Sequence, residues 1–99
     1  MRYIISFMIK TFDCSDTQAL FQGSRVARFA NIATVAERKL QQIDSAETLD
    51  ALRSPPGNRL EALRGNRAGQ YSIRINDQWR VCFRFESGGA YDVEIVDYH

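Results

Sequence analysis

The stretches Gln70-Tyr-Ser-Ile-Arg-Ile-Asn76 and Trp79-Arg-Val-Cys-Phe-Arg-Phe85 decide the fold of this chain. Apolar and polar residues alternate in both, which is typical of β-strands that bury one face. The residues between them, Asn76 to Gln78, predict a tight turn, so the two strands form a hairpin. One face of this hairpin carries only aromatic and aliphatic side chains: Tyr71, Ile73, Ile75, Trp79, Val81, Phe83 and Phe85.

The opposite face of the hairpin, called the arginine face below, carries Ser72, Arg74, Arg80, Cys82 and Arg84. Where the apolar faces match across a three-residue turn, Arg74 lies opposite Arg80, and like charges opposed on a sheet are destabilising. We therefore expect an anionic group to offset the repulsion. Carboxylates of a neighbouring strand would do so, and so would the phosphates of a nucleic acid, which match the two-pronged guanidinium.

Composition indicates one globular domain with a modest core, since the chain has 99 residues, 44% of them hydrophobic and 25% charged. The net charge is only +1, but it is unevenly distributed. Residues 53–84 hold seven arginines against two acidic residues, whereas residues 85–99 hold four acidic residues. Because electrostatic fields act locally, the arginine-rich part favours an anionic partner.

The cysteines and the first residues bear on the cellular setting. Cys14 and Cys82 make neither a disulfide framework nor a zinc spacing, so we expect a reducing, cytoplasmic environment. The apolar start is too short for a signal peptide or a membrane span, and no membrane partner is expected. Because Met8 is a second plausible start, residues 1–7 are either an upstream extension or the beginning of the first strand. Residues 8–99 form the single predicted domain.

The first half of the chain predicts a strand followed by helices. Residues 8–13 read as a strand, and Ser15 with Gln18 fits a capping box that begins a short helix ending at Gly23. A longer amphipathic helix follows from Asn31, with apolar residues at helical spacing. One or two further helical turns are expected near residues 47–52.

The second half predicts four short strands, at residues 59–63, 69–75, 79–85 and 90–97, after a Ser54-Pro-Pro-Gly-Asn58 loop. We therefore predict an α+β fold, a small and mostly antiparallel sheet with two to three helices packed on one face. If the last hairpin also aligns its apolar faces, four residues of the last strand join the arginine face: Asp92, Glu94, Val96 and Tyr98. Arg84 would then pair with Asp92 or Glu94.

Proton-transfer groups near the arginine face suit metal-free cleavage of RNA. In that reaction the ribose 2′-hydroxyl loses a proton and attacks the adjacent phosphate, the leaving 5′-oxygen gains a proton, and a cation stabilises the added negative charge. Arg80 would stabilise this charge, and Tyr98, His99 or Glu61 would move protons. The chain shows no Gly-rich phosphate loop, no metal-ligand cluster and no Ser-His-Asp arrangement, so neither a metal nor a cofactor is expected.

Four motifs resemble the HigB branch of the RelE toxins across residues 8–99. They are Arg59-Leu-Glu-Ala-Leu-Arg-Gly-Asn-Arg-Ala-Gly69, Tyr71-Ser-Ile-Arg74, Asn76-Asp-Gln-Trp-Arg-Val-Cys-Phe83 and Val93-Glu-Ile-Val-Asp-Tyr-His99. The Asn-x-x-Trp-Arg block combined with a terminal Asp-Tyr-His is the specific part of this resemblance. It implies a RelE-like fold and a ribosome-dependent endoribonuclease that cuts mRNA in the ribosomal A site, neutralised by a helix-turn-helix antitoxin.

The resemblance also implies roles for single residues. The arginine of the family's Trp-Arg block falls on Arg80, its basic residue before the glycine on Arg64, and its terminal acid, tyrosine and histidine on Asp97, Tyr98 and His99.

One position departs from the family's pattern. HigB relatives carry a histidine where this chain has Glu61. Beside arginines a glutamate stays ionised. It would either act as a base or pair with an arginine and leave proton transfer to His99 and Tyr98.

Two other functions remain open from the sequence. A non-catalytic RNA or ribosome binder would use Arg59, Arg64, Arg67 and Arg74 for phosphates, the residues also expected to bind RNA in the endoribonuclease. It would stack bases on Tyr71 or Trp79, although both fall on the apolar face. A protein-interaction module would instead place an acidic segment on the arginine face.

Overall fold

The computed structural model describes residues 9–98 of the chain. The predictions for residues 1–7 and for His99 therefore lie outside the described residues. Two α-helices, α1 (Ser15–Phe21) and α2 (Ala33–Ser45), precede four strands: β1 (Glu61–Ala62), β2 (Tyr71–Arg74), β3 (Trp79–Glu86) and β4 (Gly89–Asp97). The strands form one antiparallel sheet in the order β1-β2-β3-β4, which confirms the predicted α+β class.

The core lies between the helices and the apolar face of the sheet. Helix α2 buries Ala36, Leu40 and Ile43, which recur at helical spacing as the sequence predicts. The strands contribute six fully or almost fully buried side chains to this core: Ile73, Val81, Phe83, Ala90, Val93 and Ile95. Packing both elements on one side leaves the arginine face on the other.

The central hairpin forms as predicted. Ile73 pairs with Val81 and Arg74 with Arg80, so the two arginines do lie opposite each other. The turn between them is held by Asn76, whose side-chain oxygen accepts hydrogen bonds from the backbone N–H groups of Gln78 and Trp79, both at 2.8 Å.

The β3–β4 hairpin corrects one prediction. A β-bulge interrupts the register between Cys82 and Arg84, and Arg84 pairs with Tyr91. Tyr91 therefore lies on the arginine face, where its ring lies 5.3 Å from the guanidinium carbon of Arg84. Asp92 takes a left-handed conformation in the bulge (φ 57°), and its carboxylate accepts a 2.8 Å hydrogen bond from Arg84. The predicted Arg84–Asp92 pair is thus confirmed, although the register that was to produce it is wrong.

Three local predictions differ from the structure. The N-cap of α1 is Cys14 rather than Ser15, and no side chain caps this end, so the predicted capping box is absent. Residues 9–13 run parallel to β4 but make only two isolated bridges, at Ile9 and Phe12. The strand predicted at residues 59–63 is reduced to β1, because Arg59 turns the chain with a left-handed backbone (φ 47°).

The helical turns after α2 are present, and they continue into the loop. A 3₁₀ helix spans Leu49–Arg53, and Thr48 caps it by accepting a hydrogen bond from the N–H of Ala51 at 3.2 Å. A further 3₁₀ turn, Pro56–Asn58, ends the Pro-rich loop beside the sheet. Within the described part of the chain, no helix has the length and apolar character needed to cross a membrane.

Candidate functional site

Arg80 lies at the centre of the arginine face, on β3. Its Nε donates a 2.8 Å hydrogen bond to the hydroxyl of Ser72, and its Nη2 donates one of 2.7 Å to the backbone carbonyl of Arg59. Only 11% of the side chain is exposed. Arg80 is therefore largely shielded from solvent even though no helix covers its face of the sheet, because the backbone that enters β1 lies over one side of the guanidinium.

Among residues 9–98, Glu61 supplies the negative charge nearest to Arg80. Its carboxylate lies 3.6 Å from Nη2 of Arg80 and is 55% exposed. Strand β1 brings it there, because Glu61 is the cross-strand partner of Ser72, the residue that binds Arg80 from the other side. The pairing with an arginine, one of the two alternatives raised by the sequence, is present. The other alternative, that Glu61 acts as a base, stays a prediction.

Tyr98 completes this cluster at the end of β4. Its ring centroid lies 5.7 Å from the guanidinium carbon of Arg80, within cation–π distance, and the residue is 39% exposed. A 2.6 Å hydrogen bond from the Tyr98 N–H to the carbonyl of Gln78 holds it near the central turn. A guanidinium, a carboxylate and a phenol therefore meet on one side of the sheet.

Asp97 does not join that cluster directly. It pairs in register with Trp79, one position away from the Arg80–Val96 pair, so the alternation of the strand directs it to the opposite face. Its carboxylate accepts a 3.1 Å hydrogen bond from the side-chain amide of Gln78. Asp97 and the backbone of Tyr98 thus both bind Gln78, and the turn ties the end of β4 to the start of β3.

Of the four arginines expected to bind phosphates, two are bound by acidic side chains of the protein and two are not. Arg67 contacts Glu94 at 3.3 Å and Gln70 at 2.9 Å, and Arg74 pairs with Asp77. Arg59 and Arg64 are exposed, and within residues 9–98 their side chains have neither a hydrogen bond nor an ion pair. The repulsion between Arg74 and Arg80 is therefore offset by carboxylates of the protein: Glu61 comes from a neighbouring strand, as expected, whereas Asp77 comes from the turn between β2 and β3.

Part of the arginine face is more buried than the sequence suggests. Ser72 and Cys82 pair across β2 and β3, and both are fully buried. Burial raises the pKa of the Cys82 thiol, and the charge of Glu94 raises it further, while the charges of Arg67 and Arg80 partly oppose this rise. The face is therefore not wholly free, because flanking side chains cover its middle.

Sequence reasoning missed the contacts that hold Arg80. Ser72 was placed on the correct face, but nothing in the alternation shows that its hydroxyl accepts from Arg80. The carbonyl of Arg59 carries no sequence signal at all. The only indication was the Pro-Pro-Gly-Asn loop that precedes Arg59, because such residues favour turns and so predict an irregular backbone near Arg59.

Comparisons with known proteins agree on one family. A family model described as the RelE-like toxin of type II toxin-antitoxin system HigB matches residues 10–99. Toxin HigB-1 of Vibrio cholerae is 44% identical over 61 residues, which are 62% of this chain and 64% of that protein. The chain thus spans less than two thirds of the Vibrio protein. Endoribonuclease HigB of Proteus vulgaris is 33% identical over 93 residues, which are 93% of this chain and 100% of that protein.

The fold is also found among solved structures. The YoeB-YefM complex from Staphylococcus aureus contains a chain that matches with a TM-score of 0.54 at 16% identity, covering 92% of this chain and 97% of that one. At this identity the likeness concerns the fold alone.

Proposed function

Because the chain belongs to the RelE-like HigB family of toxins from type II toxin-antitoxin systems, we propose that it is the toxin of such a module. In this proposal it is a ribosome-dependent endoribonuclease that cleaves mRNA in the A site and so inhibits translation in the cytoplasm. A helix-turn-helix antitoxin encoded with it would neutralise it. The name of the Proteus relative supports the activity, and the two-component YoeB-YefM complex supports a protein partner. Within the family, the stretches Val35–Lys39 and Ser54–Asn58 resemble the toxin GraT.

The observation that carries the proposal is the grouping of Arg80, Glu61 and Tyr98. RNA cleavage without a metal needs a base for the 2′-hydroxyl, a cation for the phosphorane-like transition state and an acid for the leaving 5′-oxygen. Arg80 supplies a fixed cation, and the carboxylate of Glu61 lies beside it at 3.6 Å. The phenol of Tyr98 lies over the same guanidinium.

The proposed reaction balances with groups of this chain. Glu61 accepts the proton of the 2′-hydroxyl, the O2′–P bond forms, and the P–O5′ bond breaks to leave a 2′,3′-cyclic phosphate. Tyr98 or His99 gives a proton to the departing 5′-oxygen, while Arg80 binds the non-bridging oxygens. Asp97 acts indirectly in this scheme, since its bond to Gln78 helps to fix the strand end that carries Tyr98.

RNA binding is proposed for the arginines around this cluster. Arg59 and Arg64 are exposed and lie just before and after Glu61 in the chain, so they suit the phosphates on either side of the cleaved bond. Arg67 and Arg74 have the same proposed role, but they must first exchange Glu94 and Asp77 for a phosphate. Both exchanges replace one charge-assisted contact with another.

The test is to induce the wild-type chain and an Arg80→Lys variant in cells and to map mRNA 5′ ends. Lysine keeps the charge but cannot hold the planar contacts of Arg80. We expect codon-phased cleavage by the wild type and a loss of about a hundredfold in the variant. The matched control is Arg84→Lys, because Arg84 lies on the same strand and face but contacts Asp92, and it should cleave like the wild type. Equal cleavage by all three chains would contradict the proposed site.

A non-catalytic RNA binder is the second candidate, and it would inhibit growth without creating new 5′ ends. One observation counts against base stacking in such a binder. Trp79 packs edge to face on Phe29 at 5.6 Å, and Tyr71 packs on Phe83 at 6.4 Å, so both rings belong to the core side. A protein-interaction module would likewise leave mRNA intact, and the mapping experiment separates both from the endoribonuclease.

A further inference from the structure

The guanidinium of Arg80 donates hydrogen bonds to two oxygen atoms of the protein, one on each side. The hydroxyl of Ser72 binds its Nε at 2.8 Å, and the carbonyl of Arg59 binds its Nη2 at 2.7 Å. An arginine has five N–H donors in a fixed plane. These two contacts define that plane, the carboxylate of Glu61 lies 3.6 Å from Nη2, and the two donors of Nη1 are left for an anion.

The second of these acceptors is itself firmly placed. Arg59 takes a left-handed backbone (φ 47°, ψ 56°) directly after the buried Asn58. The side-chain amide of Asn58 donates to Gln42 at 2.9 Å and to the carbonyl of Leu52 at 3.1 Å, and its oxygen accepts from Lys39. This network ties the loop before β1 to helix α2, so the carbonyl of Arg59 does not shift freely.

The first acceptor is the one that a side-chain substitution can remove. Ser72 is fully buried, and its hydroxyl is the protein's acceptor for the Nε of Arg80. Without this contact the guanidinium would be held at one nitrogen only, and it could rotate about the Arg59 carbonyl. A misplaced cation loses much of its effect on a transition state, because geometric precision is a large part of such catalysis.

We infer that Ser72 is a positioning residue, whose hydroxyl orients the guanidinium of Arg80 toward the scissile phosphate. The inference rests on the proposed endoribonuclease function and names a residue that acts in it only through Arg80. The competing explanation is that Ser72 merely satisfies its own buried hydroxyl within the sheet.

The test compares Ser72→Ala with Cys82→Ala. These two residues are cross-strand partners, both are fully buried, and each substitution removes one heavy atom from the same layer. Only Ser72 binds Arg80. In single-turnover cleavage of mRNA on programmed ribosomes, we expect Ser72→Ala to lower the rate about tenfold with unchanged RNA affinity. Cys82→Ala should retain the wild-type rate, and the two melting temperatures should fall by similar amounts.

A double-mutant cycle separates positioning from a general structural effect. If Ser72 acts through Arg80, adding Ser72→Ala to Arg80→Lys should cause almost no further loss of rate. An equal further loss in that background would overturn the inference, and so would a wild-type rate for Ser72→Ala alone.

A measurement without RNA keeps this inference distinct from the proposed function. The Nε–H of Arg80 should give a resolved NMR signal with slow hydrogen exchange, and Ser72→Ala should accelerate that exchange about tenfold while Cys82→Ala leaves it unchanged. Unchanged exchange in Ser72→Ala would overturn the inference even if the wild type cleaves RNA. Accelerated exchange in a protein that never cleaves RNA would instead show that the proposed function has failed, and that Ser72 does not orient Arg80 toward a scissile phosphate.

Discussion

The two cysteine thiols differ in reactivity because their surroundings differ. Burial raises the pKa of Cys82, so its thiol stays protonated and inaccessible. For Cys14, burial alone would raise the pKa, but the nearby polar groups of Thr17 and Asp16, together with the charge of Arg28, lower it overall. The thiolate is the reactive form of cysteine.

We predict that iodoacetamide at neutral pH labels Cys14 at least about tenfold faster than Cys82. Peptide mass spectrometry over a time course measures both rates in the same sample. The control is Cys14→Ser, in which labelling of the folded protein should nearly disappear. Comparable labelling of Cys82 in that variant would mean that the arginine face opens far more often than its burial indicates.

Single residues also show where sequence reasoning ends. Alternation along β2 and β3 placed Arg80 opposite Arg74 and on the correct face. It did not reveal that Arg80 is only 11% exposed, because depth depends on what other segments lay over the face. The loop that ends at Arg59 supplies that cover, and its path is fixed by the contacts of Asn58 with α2 rather than by any local pattern.

Among the elements, the strongly periodic ones were predictable and the irregular ones were not. The apolar spacing of α2 and the paired strands β2 and β3 follow from the sequence, since each buries one face. The bulge in β4 could not be predicted, because the left-handed Asp92 is held by partners outside its own strand: its N–H donates to the hydroxyl of Thr11 and its carboxylate accepts from Arg84.

The capping box predicted at Ser15 is wrong because contacts outside the local sequence also decide where helix α1 begins. Serine is favoured at an N-cap, but by only about 1 kcal/mol, which packing elsewhere in the fold overrides, and helix α1 begins one residue earlier without a side-chain cap.

Helix α2 joins the loop before β1 through a lysine that lacks an acidic partner within the described residues. Lys39 is only 8% exposed, and its ammonium donates to the side-chain oxygen of Asn58. Burial lowers the pKa of Lys39 below its ordinary value of 10.5, and the charges of Arg38 and Arg74 lower it further. The charged form is therefore less favourable in the folded protein than in the unfolded chain.

This difference predicts a specific dependence of stability on pH. Between the lowered pKa in the folded protein and 10.5, the unfolded chain binds more protons at Lys39, so the free energy of unfolding rises with pH. We expect the wild type to gain stability relative to Lys39→Met as the pH increases from 7 towards 10.5. Urea denaturation at several pH values measures this difference, in which the titration of the other groups cancels.

The control for this experiment is Lys10→Met, since Lys10 is exposed. The difference between wild type and Lys10→Met should not change with pH over the same range. A difference for Lys39→Met that is equally flat would show that the ammonium of Lys39 is solvated in the folded protein.

The two faces of the sheet differ across the whole molecule: the apolar face is covered by the helices, and the arginine face, called the open side below, is not. The helices cover the apolar face of the sheet, while the cluster of Arg80, Glu61 and Tyr98 lies on the other face, flanked by the exposed Arg59 and Arg64. Surface ion pairs such as Arg84–Asp92 contribute little to stability because solvent screens them, so the apolar side provides most of the stability. The open side is thereby available for binding without weakening the core.

The open side holds its cation in place, but it does little to hold a flexible RNA. Positioning the 2′-hydroxyl in line with the phosphate accounts for a large share of the barrier in such reactions, and Tyr98 and Glu61, the neighbours of Arg80, are themselves 39% and 55% exposed. In the proposed function the ribosome supplies this positioning by presenting the codon in the A site.

We predict that the purified chain cleaves mRNA on programmed ribosomes at least about a hundredfold faster than the same RNA in solution. Single-turnover rates on both substrates measure the ratio, and Arg80→Lys should lower both rates by a similar factor, because Arg80 acts on the phosphate in either case. Equally rapid cleavage of free RNA by the wild type would mean that this sheet face orients its substrate alone.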